Sequence, residues 1–217
     1  VFGGRPLILS EFKDVDAMMM CWFLGSSSSE AIKELLYGEA NPSGKLPMSF
    51  PRNIGQIPIY YNHFNTGRPF DPISKNMYLS KYLDVANTPL YPFGYGLSYS
   101  NFIYEDIYIS KDTMKANETL KVSVKVKNSS NLSGKEVIQL YIRDYVAEIV
   151  RPVKELKKIK KIHFLPQETK IIDFELNYDD LTYFDCEGNL QLESGKIGVF
   201  VGGSSDKTLN MDFYFVK

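Results

Sequence analysis

The sequence has 217 residues, 44% of them hydrophobic and 24% charged, and its 25 basic side chains nearly balance 26 acidic ones. A chain of this length and composition builds one large or two small globular domains and is not a disordered tail. The net charge of −1 gives no electrostatic case for a nucleic-acid partner. The apolar residues 17–24 are far fewer than the ~20 that cross a bilayer and lack a basic leader, so no membrane partner is predicted.

The few cysteines and histidines argue against a metal site. Cys21 and Cys186 lie far apart and form no Cys-x-x-Cys pair, and the two histidines are His63 and His163. We therefore predict no zinc site, no disulfide framework and no cofactor. Two cysteines slightly favour a cytoplasmic location. Because the chain opens on Val1 rather than Met, however, we expect a piece of a longer protein, whose upstream part could carry a signal peptide.

The composition changes near residue 100. Nine of the eleven prolines and nine of the fifteen glycines lie in the first 100 residues. This asymmetry predicts two domains, residues 1–97 and residues 98–217. The fold class is α+β, with a partial α/β sandwich followed by an all-β sandwich of the fibronectin type III kind.

The first domain is predicted from short apolar segments broken by proline and glycine. Three of these segments are predicted as strands: residues 7–9, 18–23 and 46–50. Residues 30–37 carry apolar side chains on one helical face, with serines before them that suit a cap and Gly38 to end the helix. Prolines divide residues 54–91, which predicts an extended, wrapping loop with aromatic anchors.

After residue 100 the hydrophobic pattern alternates with a period of two, which is typical of half-buried strands. Seven segments are predicted as strands: residues 103–109, 120–126, 137–142, 156–164, 170–176, 197–201 and 209–216. Turn signals separate them at the spacing of an antiparallel sandwich. We therefore expect an immunoglobulin-like or fibronectin-type module.

Acidic and serine clusters in the first domain are better explained by structure than by chemistry. Glu11, Asp14 and Asp16 are typical of a solvated loop before a strand. Glu30 and Glu34 lie near a helix start, where acidic side chains favour the helix dipole. For the four consecutive serines before the helix, capping is favoured over binding of an anion or a sugar hydroxyl, and no Ser-His-Asp set accompanies them.

The aromatic loop at residues 60–64 is the best candidate for ligand binding. Tyr61, His63 and the nearby Arg68 combine flat rings with hydrogen-bonding groups, a mixture that suits a sugar. These three are our candidate substrate-binding residues. The same side chains suit an inter-domain contact, and for His63 and its loop this is the favoured interpretation.

A series of motifs runs in order along nearly the whole chain. Its main members are Gly4-Arg5-Pro6-Leu7, Asn41-Pro42-Ser43-Gly44-Lys45-Leu46-Pro47, Tyr91-Pro92-Phe93-Gly94-Tyr95-Gly96-Leu97-Ser98-Tyr99, Val137-Ile138-Gln139-Leu140-Tyr141 and Arg151-Pro152-Val153-Lys154-Glu155-Leu156. This series resembles the C-terminal part of bacterial family 3 glycoside hydrolases of the β-glucosidase type. The chain departs from the family pattern at residues 24–29, where serines replace a glycine-rich turn.

The resemblance implies a parent enzyme with an N-terminal barrel, an α/β sandwich and a fibronectin type III-like domain. Such enzymes perform retaining, exo-acting hydrolysis of β-linked glucose or xylose. Their nucleophile is a barrel aspartate, and in many members the acid/base is a glutamate that precedes the Gly-Arg-Pro motif. We therefore expect no catalytic residue here. The chain would be a scaffold and part of the site wall, with a β-linked gluco- or xylo-oligosaccharide reached through the missing barrel.

Two further expectations accompany this hypothesis. The alternative function is a non-catalytic carbohydrate- or surface-binding module that uses residues 60–64 and the sandwich face. If strands that flank residues 7–9 and 18–23 are missing, their truncated sheet edges are unpaired, which favours self-association.

Overall fold

The computed structural model of the chain describes residues 1–12 and 14–217. The helices are α1 (Ser28–Leu36) and α2 (Tyr178–Leu181), and 3-10 turns lie at Ser10–Phe12 and Ile54–Gln56. The strands are β1 (Phe102–Ile109), β2 (Thr113–Lys115), β3 (Leu120–Asn128), β4 (Gly134–Asp144), β5 (Glu155–Phe164), β6 (Thr169–Leu176), β7 (Tyr183–Phe184), β8 (Leu190–Gln191), β9 (Gly195–Gly202) and β10 (Thr208–Val216).

The strands after residue 100 form a β-sandwich. One sheet has the order β1-β3-β6 and the other the order β2-β10-β9-β4-β5, while β7 and β8 pair separately. Neighbours are antiparallel except for β2, which runs parallel to β10. All seven predicted strands are present, with ends that differ by a few residues. The short strands β2, β7 and β8 were not predicted because two or three residues show no alternation.

The sandwich core lies between the two sheets. Every second side chain of β3 is buried, and Val124 is fully inaccessible. Phe174 on β6, Leu140 on β4, Val199 on β9 and Phe213 on β10 are each at most 2% exposed and belong to the same apolar cluster. The alternating apolar side chains of both sheets therefore pack against each other in one core.

The three strands predicted in residues 1–50 are wrong. In the described chain, residues 7–9 and 18–23 belong to no strand, and Trp22 has φ +53°. Residues 46–50 form backbone hydrogen bonds with residues 90–95, but the only bridge there is the isolated one between Phe50 and Tyr91. Val1 alone pairs beside the second segment, with its N-terminal nitrogen donating to Met19 O at 2.8 Å and its carbonyl accepting from Cys21 N at 2.8 Å. An apolar run becomes a strand only when a neighbour supplies the ladder.

Helix α1 overlaps the predicted helix but starts two residues earlier. A serine, Ser27, holds the N-cap position as predicted, but its side chain accepts no capping hydrogen bond. No residue of this nine-residue helix is buried, and Leu36 on its apolar side is 67% exposed. Helices this short are marginal in water without tertiary packing. The described chain therefore covers the apolar face of the helix only in part, since Ile32 and Leu35 are half-buried and Leu36 is exposed.

The core makes a direct stability prediction. Leu140→Ala removes a side chain that has no exposure, so the unfolding free energy should fall by about 2–5 kcal/mol. Ile171→Ala is the control, because Ile171 on β6 is 65% exposed and its loss should change stability by less than about 0.5 kcal/mol. Urea denaturation of both variants measures the difference. Equal midpoints would contradict the core assignment.

Candidate functional site

Tyr61 lies on the outer face of the five-stranded sheet. Its ring stacks on Phe93 at a centroid distance of 4.2 Å and meets the edge of Tyr141 at 5.7 Å. Its hydroxyl accepts a hydrogen bond from the backbone nitrogen of Leu156 at 3.3 Å. Both the ring and the hydroxyl of this candidate are therefore engaged in packing the loop onto the sandwich.

His63 and Arg68 occupy different positions from Tyr61. The His63 carbonyl accepts from Val153 N at 2.9 Å, which continues the contact with the sandwich, and its ring is exposed. The Arg68 carbonyl accepts from Ser80 N at 2.8 Å and closes a loop over residues 68–80, which we call the strap. In the described part of the chain the exposed Arg68 guanidinium has no hydrogen-bond partner. The structure thus joins Tyr61 and His63 to the sandwich and leaves the Arg68 side chain free.

The strap is ordered by local hydrogen bonds but is apolar on its surface. Asp71 accepts from Ile73 N and Asn76 accepts from Tyr78 N, both at 2.9 Å. Ile73, Met77 and Tyr78 are nevertheless 89%, 72% and 70% exposed. Such a patch of ordered, exposed apolar side chains is typical of an interaction surface.

A cleft of about 600 Å³ opens in front of Tyr61. Its walls are mostly apolar, and the polar side chains that line it are Arg5, Ser49, Tyr60, Tyr61 and Asn62. The volume is in the range of small-ligand sites. His63 and Arg68 do not line it, so the cleft unites only part of the predicted constellation.

The residues of the motif series meet at the joint between the first segment (residues 1–97) and the sandwich. Gln139 on β4 donates from Nε2 to Gly94 O at 3.2 Å and to Gly203 O at 2.7 Å. Gly94 has φ +79°, and a Cβ at that position would lie 2.0 Å from Gln139 Oε1. Glycine is required here for both conformation and space.

A buried ion pair crosses the same joint. Lys45 Nζ lies 3.1 Å from Glu136 Oε2 and donates to Gly96 O at 3.0 Å, and the two charged side chains are only 14% and 5% exposed. The Tyr104 hydroxyl donates to Glu136 at 3.0 Å. Burial, together with the charge of Glu136, raises the pKa of Tyr104 far above its ordinary value, so this hydroxyl stays a donor. This network was not predicted, although Lys45 and Gln139 belong to the motif series, because contacts between distant segments leave no periodic pattern.

Lys154 is a third residue that contributes to the joint. Its ammonium group donates to Ser205 O at 2.6 Å and lies 4.6 Å from the Phe200 ring centroid and 5.6 Å from that of Tyr141. Burial lowers the pKa of Lys154 to about 8, partly offset by nearby Asp206. The Ser205 backbone nitrogen donates to Phe93 O at 2.9 Å, which connects this lysine to the wrapping loop.

The carboxyl groups do not form a hydrolytic pair at the cleft. No Asp or Glu lines it among the described residues, and Glu11, Asp14 and Asp16 are exposed. Burial raises the pKa of the Asp144 carboxyl group. This side chain does not line the cleft, since it is only 6% exposed and lies 4.0 Å from Arg151 in the sandwich. Retaining glycoside hydrolysis needs two carboxyl groups ~5–5.5 Å apart across the sugar.

Two other kinds of feature are absent from residues 1–12 and 14–217. There, no group of three or more His, Cys, Asp or Glu side chains could hold a metal ion. Within the same residues no helix has the length and apolarity to cross a membrane.

Comparison with known proteins decides the family. Residues 1–99 match the glycosyl hydrolase family 3 C-terminal domain, and residues 136–205 match the fibronectin type III-like domain. The chain belongs to the C-terminal part of family 3 glycosyl hydrolases. The predicted family and fold class are thereby confirmed.

Curated family 3 relatives are longer than this chain. The chain is 44% identical over 214 residues to a periplasmic beta-glucosidase of Salmonella typhimurium. This match covers 98% of the chain and 28% of the relative. The chain is also 40% identical over 202 residues to a putative beta-xylosidase of Formosa agariphila. This match covers 93% of the chain and 25% of the relative. The chain therefore spans about a quarter of the length of these relatives.

Two solved structures have the same fold over the whole length of this chain. The beta-glucosidase of Listeria innocua in complex with glucose is 43% identical, with a TM-score of 0.92 over 100% of this chain and 30% of that one. A mutant of the same enzyme in complex with laminaribiose also gives a TM-score of 0.92, at 42% identity.

The buried ion pair yields a testable prediction. Glu136→Gln leaves Lys45 as a buried cation without a counter-charge, so the unfolding free energy should fall by about 3–5 kcal/mol. The matched control is Glu39→Gln, because the Lys33–Glu39 pair is about half exposed and should contribute less than about 1 kcal/mol. Urea denaturation compares the two variants. Equal losses would show that the joint does not depend on this pair.

Lys154 predicts a pH dependence of stability. Its pKa is about 8 in the folded chain and near the ordinary 10.5 in the unfolded chain. Between these values the unfolded state binds more protons, so the unfolding free energy should rise with pH. Lys154→Met should flatten this rise, whereas the exposed Lys161→Met should not. Denaturation across about pH 8–10 makes the comparison, and an unchanged slope in Lys154→Met would contradict the assignment.

Proposed function

We propose that the chain is the C-terminal part of a retaining, exo-acting β-glucosidase or β-xylosidase, in which it serves as a scaffold and as part of the sugar-site wall. The catalytic pair would lie in the upstream part of the same protein. The observation that carries the proposal is helix α1, which has an apolar face but no buried residue. The relatives are about four times as long as this chain, and we propose that the additional length includes a domain that covers this face.

Exposed apolar side chains elsewhere in the first segment support the same arrangement. Phe2, Phe23 and Tyr37 are 65%, 82% and 79% exposed, in contrast to the closed core of the sandwich. At roughly 25 cal/mol per Å² of apolar surface, such residues gain substantial free energy from a partner domain. An upstream domain of the same protein supplies that partner without a loss of translational freedom.

The strap and the cleft are the parts proposed to face the sugar. Arg68 has a free guanidinium at the base of the strap, and guanidinium groups donate several hydrogen bonds in a fixed geometry. Tyr61 would act indirectly, since its ring holds the loop that carries Tyr60 and Asn62 at the cleft. The aromatic loop as an independent binding module is disfavoured, because the Tyr61 ring already packs against Phe93 and Tyr141. Self-association stays a prediction.

Activity measurements test this proposal. The 217-residue chain alone should release no aryl alcohol from aryl β-glucosides or β-xylosides, because it lacks the two carboxyl groups. The longer protein encoded with it should hydrolyse at least one of them. In that protein Arg68→Ala should raise KM about tenfold or more through lost hydrogen bonds to the sugar. Arg52→Ala is the control and should leave KM unchanged, because the Arg52 guanidinium donates to Thr88 within the chain.

Each outcome has a defined meaning. Hydrolysis by the chain alone would overturn the absence of the catalytic pair. An inactive longer protein would overturn the enzymatic assignment, and an unchanged KM in Arg68→Ala would remove Arg68 from the site wall.

A further inference from the structure

A short segment just before β5, residues 151–154, holds the aromatic loop against the sandwich. We call it the connecting segment. Pro152 forms an isolated bridge with Phe64, and Val153 N donates to His63 O at 2.9 Å. The pairing of β5 with β4 begins only after this segment. The connecting segment therefore lies outside the ladder of the sheet, and its side chains have to fix it there.

Arg151 is the buried anchor of the connecting segment. Its side chain is only 5% exposed, and its Nη2 donates to Glu155 Oε1 at 2.5 Å. Nη1 lies 4.0 Å from Asp144 Oδ2, and the guanidinium carbon is 4.4 Å from the ring centroid of Tyr183. One planar group thus joins the end of β4 and the start of β5 to β7. Arginine suits this position because its guanidinium can pair with a carboxylate and stack on a ring at the same time.

The surroundings of this anchor are fixed on one side and exposed on the other. The Tyr183 hydroxyl donates to Glu193 Oε1, which holds the ring that lies against the guanidinium. In the chain that leads from β4 to the anchor, Val146 and Val150 are 77% and 63% exposed. Since these preceding residues lie at the surface, the buried side chain of Arg151 determines where the connecting segment starts.

We propose that Arg151 is a positioning residue for the cleft, which acts by fixing the connecting segment and, through it, the aromatic loop. That loop carries Tyr60 and Asn62, which line the cleft. Arg151 does not line the cleft, so its effect on a ligand is indirect. The assignment of a sugar to the cleft rests on the proposed function.

Amide hydrogen exchange of the 217-residue chain tests the positioning role without an activity assay. In Arg151→Gln, exchange of the Val153 amide should accelerate about tenfold or more beyond any change at Leu140, because the bond to the His63 carbonyl opens locally. Leu140 is fully buried in the sandwich core, so its amide reports a general loss of stability. Arg151→Lys keeps the positive charge and therefore the fold, but it lacks the planar fork and should still accelerate Val153 about threefold.

Arg143→Gln is the matched control for these variants. Arg143 also lies near a tyrosine ring, 5.1 Å from the centroid of Tyr145, but it belongs to β4 and not to the connecting segment. Its loss should leave the exchange of the Val153 amide unchanged. Equal acceleration at Val153 and Leu140 in both Arg151 variants would overturn the positioning role.

Kinetics of the longer protein test whether the positioned loop serves the substrate. There, Arg151→Gln should raise KM about threefold or more and change kcat less, since the loop contributes binding groups and not the catalytic pair. Arg143→Gln should change neither constant. Faster exchange at Val153 together with an unchanged KM would overturn the role of Arg151 at the cleft. An inactive longer protein would overturn the proposed function alone, because hydrogen exchange decides the positioning of the loop.

Discussion

The contact between Gln139 and the backbone of Gly94 is the constraint on which the relation of the two halves depends. Outward-facing side chains of a sandwich sheet usually meet water, but Gln139 is 2% exposed because the wrapping loop covers it. A buried amide must be satisfied, and its two carbonyl partners come from the first segment and from the turn after β9. This requirement fixes where the loop crosses the sheet.

The position of the candidate site follows from that crossing. The ion pair of Lys45 with Glu136 lies on one side of Gln139, and the stacked pair of Tyr61 and Phe93 lies on the other. All residues that line the cleft belong to the first segment, and the sandwich supports the cleft only through its contact with Tyr61. A rigid sandwich can thus hold a loop that would otherwise have little structure of its own.

How far sequence reasoning succeeded depends on where the hydrogen-bond partners lie. The strands of the sandwich follow from alternation because their partners are within the described chain, as Val124 and Phe174 illustrate by packing across one core. Residues 18–23 are equally apolar, yet Val1 is their only ladder contact there. The interface role of Tyr61 was anticipated, but its partners Phe93 and Tyr141 were not, because pairwise packing between distant segments leaves no periodic signal.

The residues that reveal the family are largely those of the joint. Gly94 requires a glycine for its backbone conformation, Gln139 must fill a fixed polar gap, and Lys45 must reach a buried carboxylate. Each position tolerates little change because its constraint is geometric. Under the proposed function, sugar selectivity would depend instead on groups that face the ligand, such as the exposed Arg68 and the side chains of an upstream domain. A joint of this kind therefore identifies the architecture, but it carries no information on the substrate.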